Sequence, residues 1–224
     1  MSRLSEKHTP YFELLESLQE AKLCVLCEMR ERSTHRYLDS LLYESVNDTD
    51  LRAILIKSRG FCPDHTERLL QFGDALGTSI LYQDQVEEVL RFLSGLKRQQ
   101  GRAVRGKAGN DWQRHAPCPV CEQEAKVDAL RIKTLLHYLS DSELRKALEE
   151  SPGLCIPHLL QTLGKSRKAD LRTCLVELHE KKFDRLREEL KEFIRKQDYQ
   201  NRGEKYGTEA NAWKRSPWMI LGKR

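Results

Sequence analysis

A chain of 224 residues, 39% hydrophobic and 33% charged, is polar for a globular protein but not disordered in character. It is long enough for one large domain or for two small halves whose thin cores would each gain from an extra staple. The net charge of +5, from 39 basic and 34 acidic residues with mixed signs, permits contact with nucleic acid without requiring it.

The opening MSRLSEKHTPYFELLESLQEAKL has no apolar stretch of the signal-peptide kind. Nowhere does the chain reach the roughly 18 consecutive apolar residues of a membrane span, so no membrane partner is expected. The expected compartment is the cytoplasm. There the seven cysteines read as metal ligands or redox groups rather than as disulfides.

In chain order the elements read as helices. Thr9-Pro10 marks a start, with Thr9 as the cap, and Leu14, Leu15, Leu18 and Ala21 follow at helical spacing. A second stripe runs through Leu38, Leu41 and Leu42. Asp48 caps a short helix carrying Leu51, Ile54 and Leu55, which Gly60 ends. From Leu76 to Leu96, Ile80, Leu90 and Leu93 share one face. Residues 97–116 lose the periodicity and read as a basic flexible linker. Helical spacing resumes with Ala125, Ala129, Ile132, Leu136 and Leu139. The longest helix covers about 168–198, through Leu171, Leu175, Leu178, Phe183, Leu186, Leu190 and Phe193. A segment with Trp213 and Trp218 follows, expected to dock on the protein's own core. Alternating patterns are missing, so the expected class is all-α.

The chain repeats itself. Cys24-x2-Cys27 recurs as Cys118-x2-Cys121 at an offset of 94, and Cys62-x2-His65 recurs as Cys155-x2-His158 at an offset of 93. The context repeats too: Asp50-Leu51-Arg52 matches Glu143-Leu144-Arg145, and Leu55, Ser58 and Gly60 match Leu148, Ser151 and Gly153. A lone Cys-x2-Cys is a weak signal; two copies, each followed by Cys-x2-His in matching context, point to a duplicated metal motif. The expected organisation is therefore two tandem zinc-stapled helical repeats, 1–98 and 117–200, joined by a linker at 99–116 and followed by a C-terminal tail at 201–224.

Cys3His is a common tetrahedral zinc set, and two intervening residues let both side chains of a pair converge on one ion. Each half holds a complete set, so the expected pairing is within halves: Cys24, Cys27, Cys62 and His65 in one, Cys118, Cys121, Cys155 and His158 in the other. A crossed pairing stays open, because the entropy of loop closure grows slowly with length. Pro63 as a first helical residue places Cys62 at a helix N-terminus, where backbone N–H groups favour a thiolate. Glu28 and Glu122 fall in first turns. Four protein ligands leave no open position, which points to structural zinc, worth on the order of 10 kcal/mol to small domains.

Cys174 reads as a core residue. His115 has no counterpart in the other half and is left out of the ligand set. His35, His137 and His179 read as surface or cap residues. The linker bases Lys97, Arg98, Arg102, Arg105 and Lys107 have no interleaved aromatics, so nucleic-acid binding is the weaker expectation. No phosphate loop, nucleophile elbow or zinc-protease helix is present.

The stretch CVLCEMRERSTHRYLDSLLYESVNDTDLRAILIKSRGFCPDH and the terminal GTEANAWKR resemble an uncharacterised bacterial and archaeal family known only as a domain of unknown function. The resemblance spans nearly the whole chain. It rests on Cys24, Cys27, the RGFCPDH stretch at 59–65, and Glu209, Ala210, Trp213 and Arg215. Ser216-Pro217 depart from the tail pattern, where a continuing helix is expected. The family implies an architecture and no activity. The expected role is a non-enzymatic interaction or regulatory module with two zinc ions and a protein partner. A redox-responsive zinc protein and a nucleic-acid-binding protein are the alternatives.

Overall fold

The computed structural model describes residues 7–98, 112–201 and 203–223, and among them the only regular structure is helical. The helices are α1 (Thr9–Glu20), α2 (Val25–Glu44), α3 (Thr49–Ser58), α4 (Pro63–Leu70), α5 (Ala75–Arg98), α6 (Pro119–Tyr138), α7 (Ser142–Glu150), α8 (Ile156–Lys165), α9 (Ala169–Gln197) and α10 (Ala212–Leu221). The all-α expectation holds. Residues 99–111, with Arg102, Arg105 and Lys107, lie outside the described residues.

Two compact units divide the chain, and their boundaries are not those of the tandem halves. One comprises residues 1–31 with 127–224, the other 32–126. The cuts fall inside α2 and α6, so each repeat gives residues to both units.

The discontinuous unit packs α1, α7, α8, α9 and the adjoining parts of α2 and α6 around Tyr11, Leu14, Leu18, Leu26, Ile132, Leu135, Leu144, Leu148, Leu154 and Leu175. The stripe read on α1 is the buried one. Its cap, however, is His8, with Thr9 and Pro10 inside the first turn. The Tyr11 hydroxyl donates to Asp141 at 2.8 Å, fixing α1 to the start of α7.

The continuous unit buries Leu38, Leu41, Leu55, Phe61, Leu69, Leu81 and Val120. Asp48 caps α3 as expected, accepting from the N–H groups of Asp50 and Leu51. On α5 the buried side is Leu81 and Gln85, while Leu90 and Leu93 are exposed, so the face read from Ile80, Leu90 and Leu93 is not the packed one. The helix has apolar residues on more than one side, and periodicity alone does not choose between them.

The repeated Ser-x-Gly has a structural purpose in both units. α3 ends at Ser58; Arg59 and Gly60 then adopt φ of 61° and 85°. The Ser58 hydroxyl donates to the Gly60 carbonyl at 2.8 Å. In the other copy Ser151 accepts from the Gly153 N–H at 3.1 Å and donates to Leu148 O at 3.0 Å. These turns deliver Cys62 and Cys155 to the starts of α4 and α8.

His179 is buried rather than superficial. Its Nδ1 donates to Leu175 O at 2.7 Å, leaving Nε2 to accept from the Leu154 N–H at 2.9 Å. Burial drives its pKa below the ordinary imidazole value, in keeping with this neutral tautomer. Cys174, expected in the core, is only half-buried.

The segment after α9 is tied down by polar contacts. Glu209 binds Lys196 at 2.7 Å and accepts from the Gly207 N–H at 2.8 Å; Arg215 pairs with Glu189. α10 runs through Pro217, as the resemblance implies for this segment. Proline has no N–H for the Trp213 carbonyl four residues back, and the Ser216 hydroxyl lies 3.5 Å from that carbonyl. Ala212 and Met219 are the buried residues of α10, while Trp213 and Trp218 stand exposed, contrary to the expectation that they dock on the core.

At Gly153 an added Cβ would meet Lys182 Cδ at 2.8 Å and His179 Nε2 at 3.0 Å, whereas at Gly73, with φ of 70°, it would meet nothing within 4 Å. Gly73→Ala should cost about 1–2 kcal/mol for the left-handed backbone alone. Gly153→Ala should cost more, because it also disturbs His179. Urea midpoints of the two variants check the order. The Lys196 ion pair, with the Gly207 N–H, holds the Glu209 carboxyl down at about 2 against an ordinary 4.5. A depressed carboxylate stabilises above its unfolded pKa and loses that contribution as pH falls through the folded one. Tryptophan fluorescence of the tail should therefore change between pH 4.5 and about 2, and a tail signal flat over that window would contradict the anchor.

Candidate metal centres

All four pairs occupy the same place on a helix. Cys24, Cys62, Cys118 and Cys155 each directly precede the first helical residue, and their carbonyls accept the first intrahelical bonds, from Glu28, Thr66, Glu122 and Leu159. Cys27, His65, Cys121 and His158 stand at the third helical position. A cap residue and the residue three further on turn their side chains toward each other at a helix start, as in a capping box. Each pair also stands at the positive end of a helix dipole, which favours thiolate.

The pairs meet across the repeats. In the discontinuous unit Cys24, Cys27, Cys155 and His158 offer four donor atoms within 4.8 Å of one another; in the continuous unit Cys62, His65, Cys118 and Cys121 do the same. This corrects the within-half pairing. Within each half the two pairs are separated by a 20-residue helix and one of 9 or 10 residues, α2 and α3 in the first half and α6 and α7 in the second. The cut between the units falls inside the longer helix each time, so the two pairs of one half belong to different units.

The geometry fits a tetrahedral ion. With metal–sulfur and metal–nitrogen bonds of about 2.3 and 2.0 Å, tetrahedral edges are about 3.8 Å between sulfurs and about 3.5 Å from sulfur to nitrogen. In the first cluster Cys27 and Cys155 Sγ are 3.7 Å apart, and His158 Nδ1 lies 3.4, 3.3 and 3.2 Å from the sulfurs of Cys24, Cys27 and Cys155. In the second, Cys62 and Cys121 Sγ are 3.7 Å apart, and His65 Nδ1 lies 3.1, 3.4 and 3.6 Å from Cys62, Cys121 and Cys118. All these cysteines are free thiols.

With Nδ1 facing the sulfurs, each imidazole turns Nε2 to a carboxylate on α6. His65 meets Glu124 at 3.1 Å and His158 meets Asp128 at 3.4 Å. Glu124 in turn accepts from the Thr34 hydroxyl at 2.6 Å, and Asp128 from Arg30 at 3.4 Å. A carboxylate behind a ligand histidine fixes its tautomer and raises its basicity. Sequence reasoning missed Glu124, Asp128, Thr34 and Arg30. Their signal is spacing: Glu124 and Asp128 lie three and seven residues beyond Cys121, on its side of the helix.

The electrostatics suit a cation. Burial favours neutral imidazole, but Cys118 and Glu124 hold His65 up at about 10, and Asp128, Cys155 and Cys27 hold His158 at about 11. Burial also resists ionisation of Cys118, yet His65 and the backbone N–H groups of Cys62, Cys121 and Val120 bring it down to about 6. Burial pushes Cys121 up to about 12, as do the charges of Cys118 and Cys62. Burial drives Cys24 upward, while hydrogen bonds from Cys155 and Cys24 drive Cys27 downward. The imidazole proton thus stands beside a thiolate in each pocket, and a metal cation bound there would displace that proton and take over its positive charge. His115 is exposed and outside both clusters.

A family model matches residues 10–223, nearly all of the chain, and is described as a family of unknown function, DUF6062. The chain belongs to this family. A 23.9 kDa protein described as uncharacterised, encoded in the xynA 3′ region of Caldicellulosiruptor sp. (strain Rt8B.4), is 27% identical over 216 residues, covering 93% of this chain and 99% of its own. No solved structure matches the chain. Membership assigns no activity. No helix among the described residues is long and apolar enough to cross a membrane.

Proposed function

We propose that the protein binds two zinc ions, one in each unit, and that both ions are structural. The observation that carries this reading is the twofold recurrence of three thiols and one imidazole at tetrahedral spacing, each imidazole backed by a carboxylate. Thiolate and imidazole donors in a 3:1 ratio suit zinc. Four protein donors fill a tetrahedron and leave no position for a substrate or an activated water, which supports a non-enzymatic role. The fixed helices would then serve as a scaffold for a protein partner, a role supported by the exposure of Trp213, Trp218, Ile220 and Leu221 on α10.

Elemental analysis of purified protein should give two zinc ions per chain. A chelator strong enough to remove both should sharply reduce helical circular dichroism, since structural zinc supplies about 10 kcal/mol or more of folding free energy in small domains. Protein that folds equally well after complete removal would contradict the structural role. Glu124→Gln and Asp128→Asn should each weaken zinc at their own site by about ten- to a hundredfold in competition with a chromophoric chelator. Asp128→Asn should weaken binding more, because the Arg30 guanidinium, 3.4 Å from that carboxylate, stays beside the site once the negative charge is gone.

A further inference from the structure

The two clusters share a ligand set but not an environment. Cys24, Cys27, Cys155 and His158 are 0–2% exposed, inside the larger hydrophobic cluster. The segment after α10 also passes over them. A Cβ at Gly222 would lie 3.3 Å from Cys155 Sγ. Lys223 is held beside it: its carbonyl accepts from Arg30, and its ammonium binds Glu31 at 2.7 Å. In the other cluster Cys62 and Cys121 are both only half-buried, and their sulfurs are 3.7 Å apart.

We propose that Cys62 and Cys121 form a redox-modification site, at which a hydroperoxide drives disulfide formation and metal release, while the cluster of Cys24, Cys27, Cys155 and His158 is retained. This rests on the two-zinc reading and says which site is reactive. Oxidation of thiolates is selective for those that solvent reaches. One of the two thiolates attacks hydrogen peroxide: an S–O bond forms, the O–O bond breaks, and hydroxide leaves. The second thiolate attacks the resulting sulfenic sulfur: the S–S bond forms, the S–O bond breaks, and a second hydroxide leaves. Two protons from solvent turn the hydroxides into water. Two thiolates are thereby oxidised by two electrons and one peroxide is reduced. Cys118 and His65 are the ligands left, too few to keep the ion. A sulfur separation of 3.7 Å needs a short approach to reach bonding distance near 2.05 Å.

The test uses the full-length, zinc-loaded protein without substitutions. It is exposed to hydrogen peroxide with a chromogenic zinc chelator present, quenched with an alkylating agent, and mapped by peptide mass spectrometry. The expected result is release of one zinc ion per chain about tenfold or more faster than the second. A Cys62–Cys121 disulfide should accompany it, with Cys24, Cys27 and Cys155 recovered reduced. Reduction with dithiothreitol and added zinc should restore the full content. Release of both ions at one rate, a first disulfide joining Cys27 to Cys155, or no release under peroxide would overturn this inference and leave the two-zinc reading intact. Fewer than two zinc ions before oxidation would overturn both.

Discussion

The structure depends on one constraint: four soft donor atoms must meet within a few ångströms at the N-termini of two helices. Each cluster draws on pairs far apart in sequence: Cys155 lies 128 positions beyond Cys27, and Cys121 59 positions beyond Cys62. Much of the local design follows from that. The left-handed turns at Gly60 and Gly153 aim the cysteines, the serines at 58 and 151 hold the turns, and the prolines near the starts of α4 and α8 stiffen the helices that carry the histidines. Helix N-termini serve twice, since the positive end of the helix dipole favours thiolate and their first turn sets two side chains face to face.

The duplication has been elaborated differently on its two sides. Behind one histidine stands Glu124, which accepts from Thr34; behind the other stands Asp128, paired with Arg30. Beside the glycine turn one copy places His179, which accepts the Leu154 N–H, and the other places Tyr82, which bonds Thr66 at 3.0 Å. His179 thereby satisfies a buried N–H that would otherwise cost on the order of 1–3 kcal/mol. One ligand frame thus tolerates different supports, provided the turn and the imidazole are held.

The fold was partly legible before the structure. Asp48 as a cap, Glu28 and Glu122 in first turns, and Cys62 ahead of Pro63 all stand where their chemistry places them. Such signals are local and need only a turn or two of helix. Other features are not local. Several stripes on α5 are apolar, and only a neighbouring helix selects the packed one. Nothing near His179 in the chain reveals the Leu154 N–H that it accepts. On α10 the buried residues are Ala212 and Met219, and which face packs is settled by what lies against it rather than by the presence of Trp213 and Trp218.

The sequence by itself determined the ligand chemistry. Eight cysteine and histidine residues, their pairing in twos and the turns before them follow from residue type and short spacing. Only the tertiary structure decided which pair meets which. Within a pair, proximity is set by a single helical turn, whereas between the pairs of one cluster it is set by the packing of residues far apart in the chain inside one compact unit. The cuts between the units run through α2 and α6, so the two pairs of one half fall in different units, and each repeat completes its four-donor set with a pair from the other.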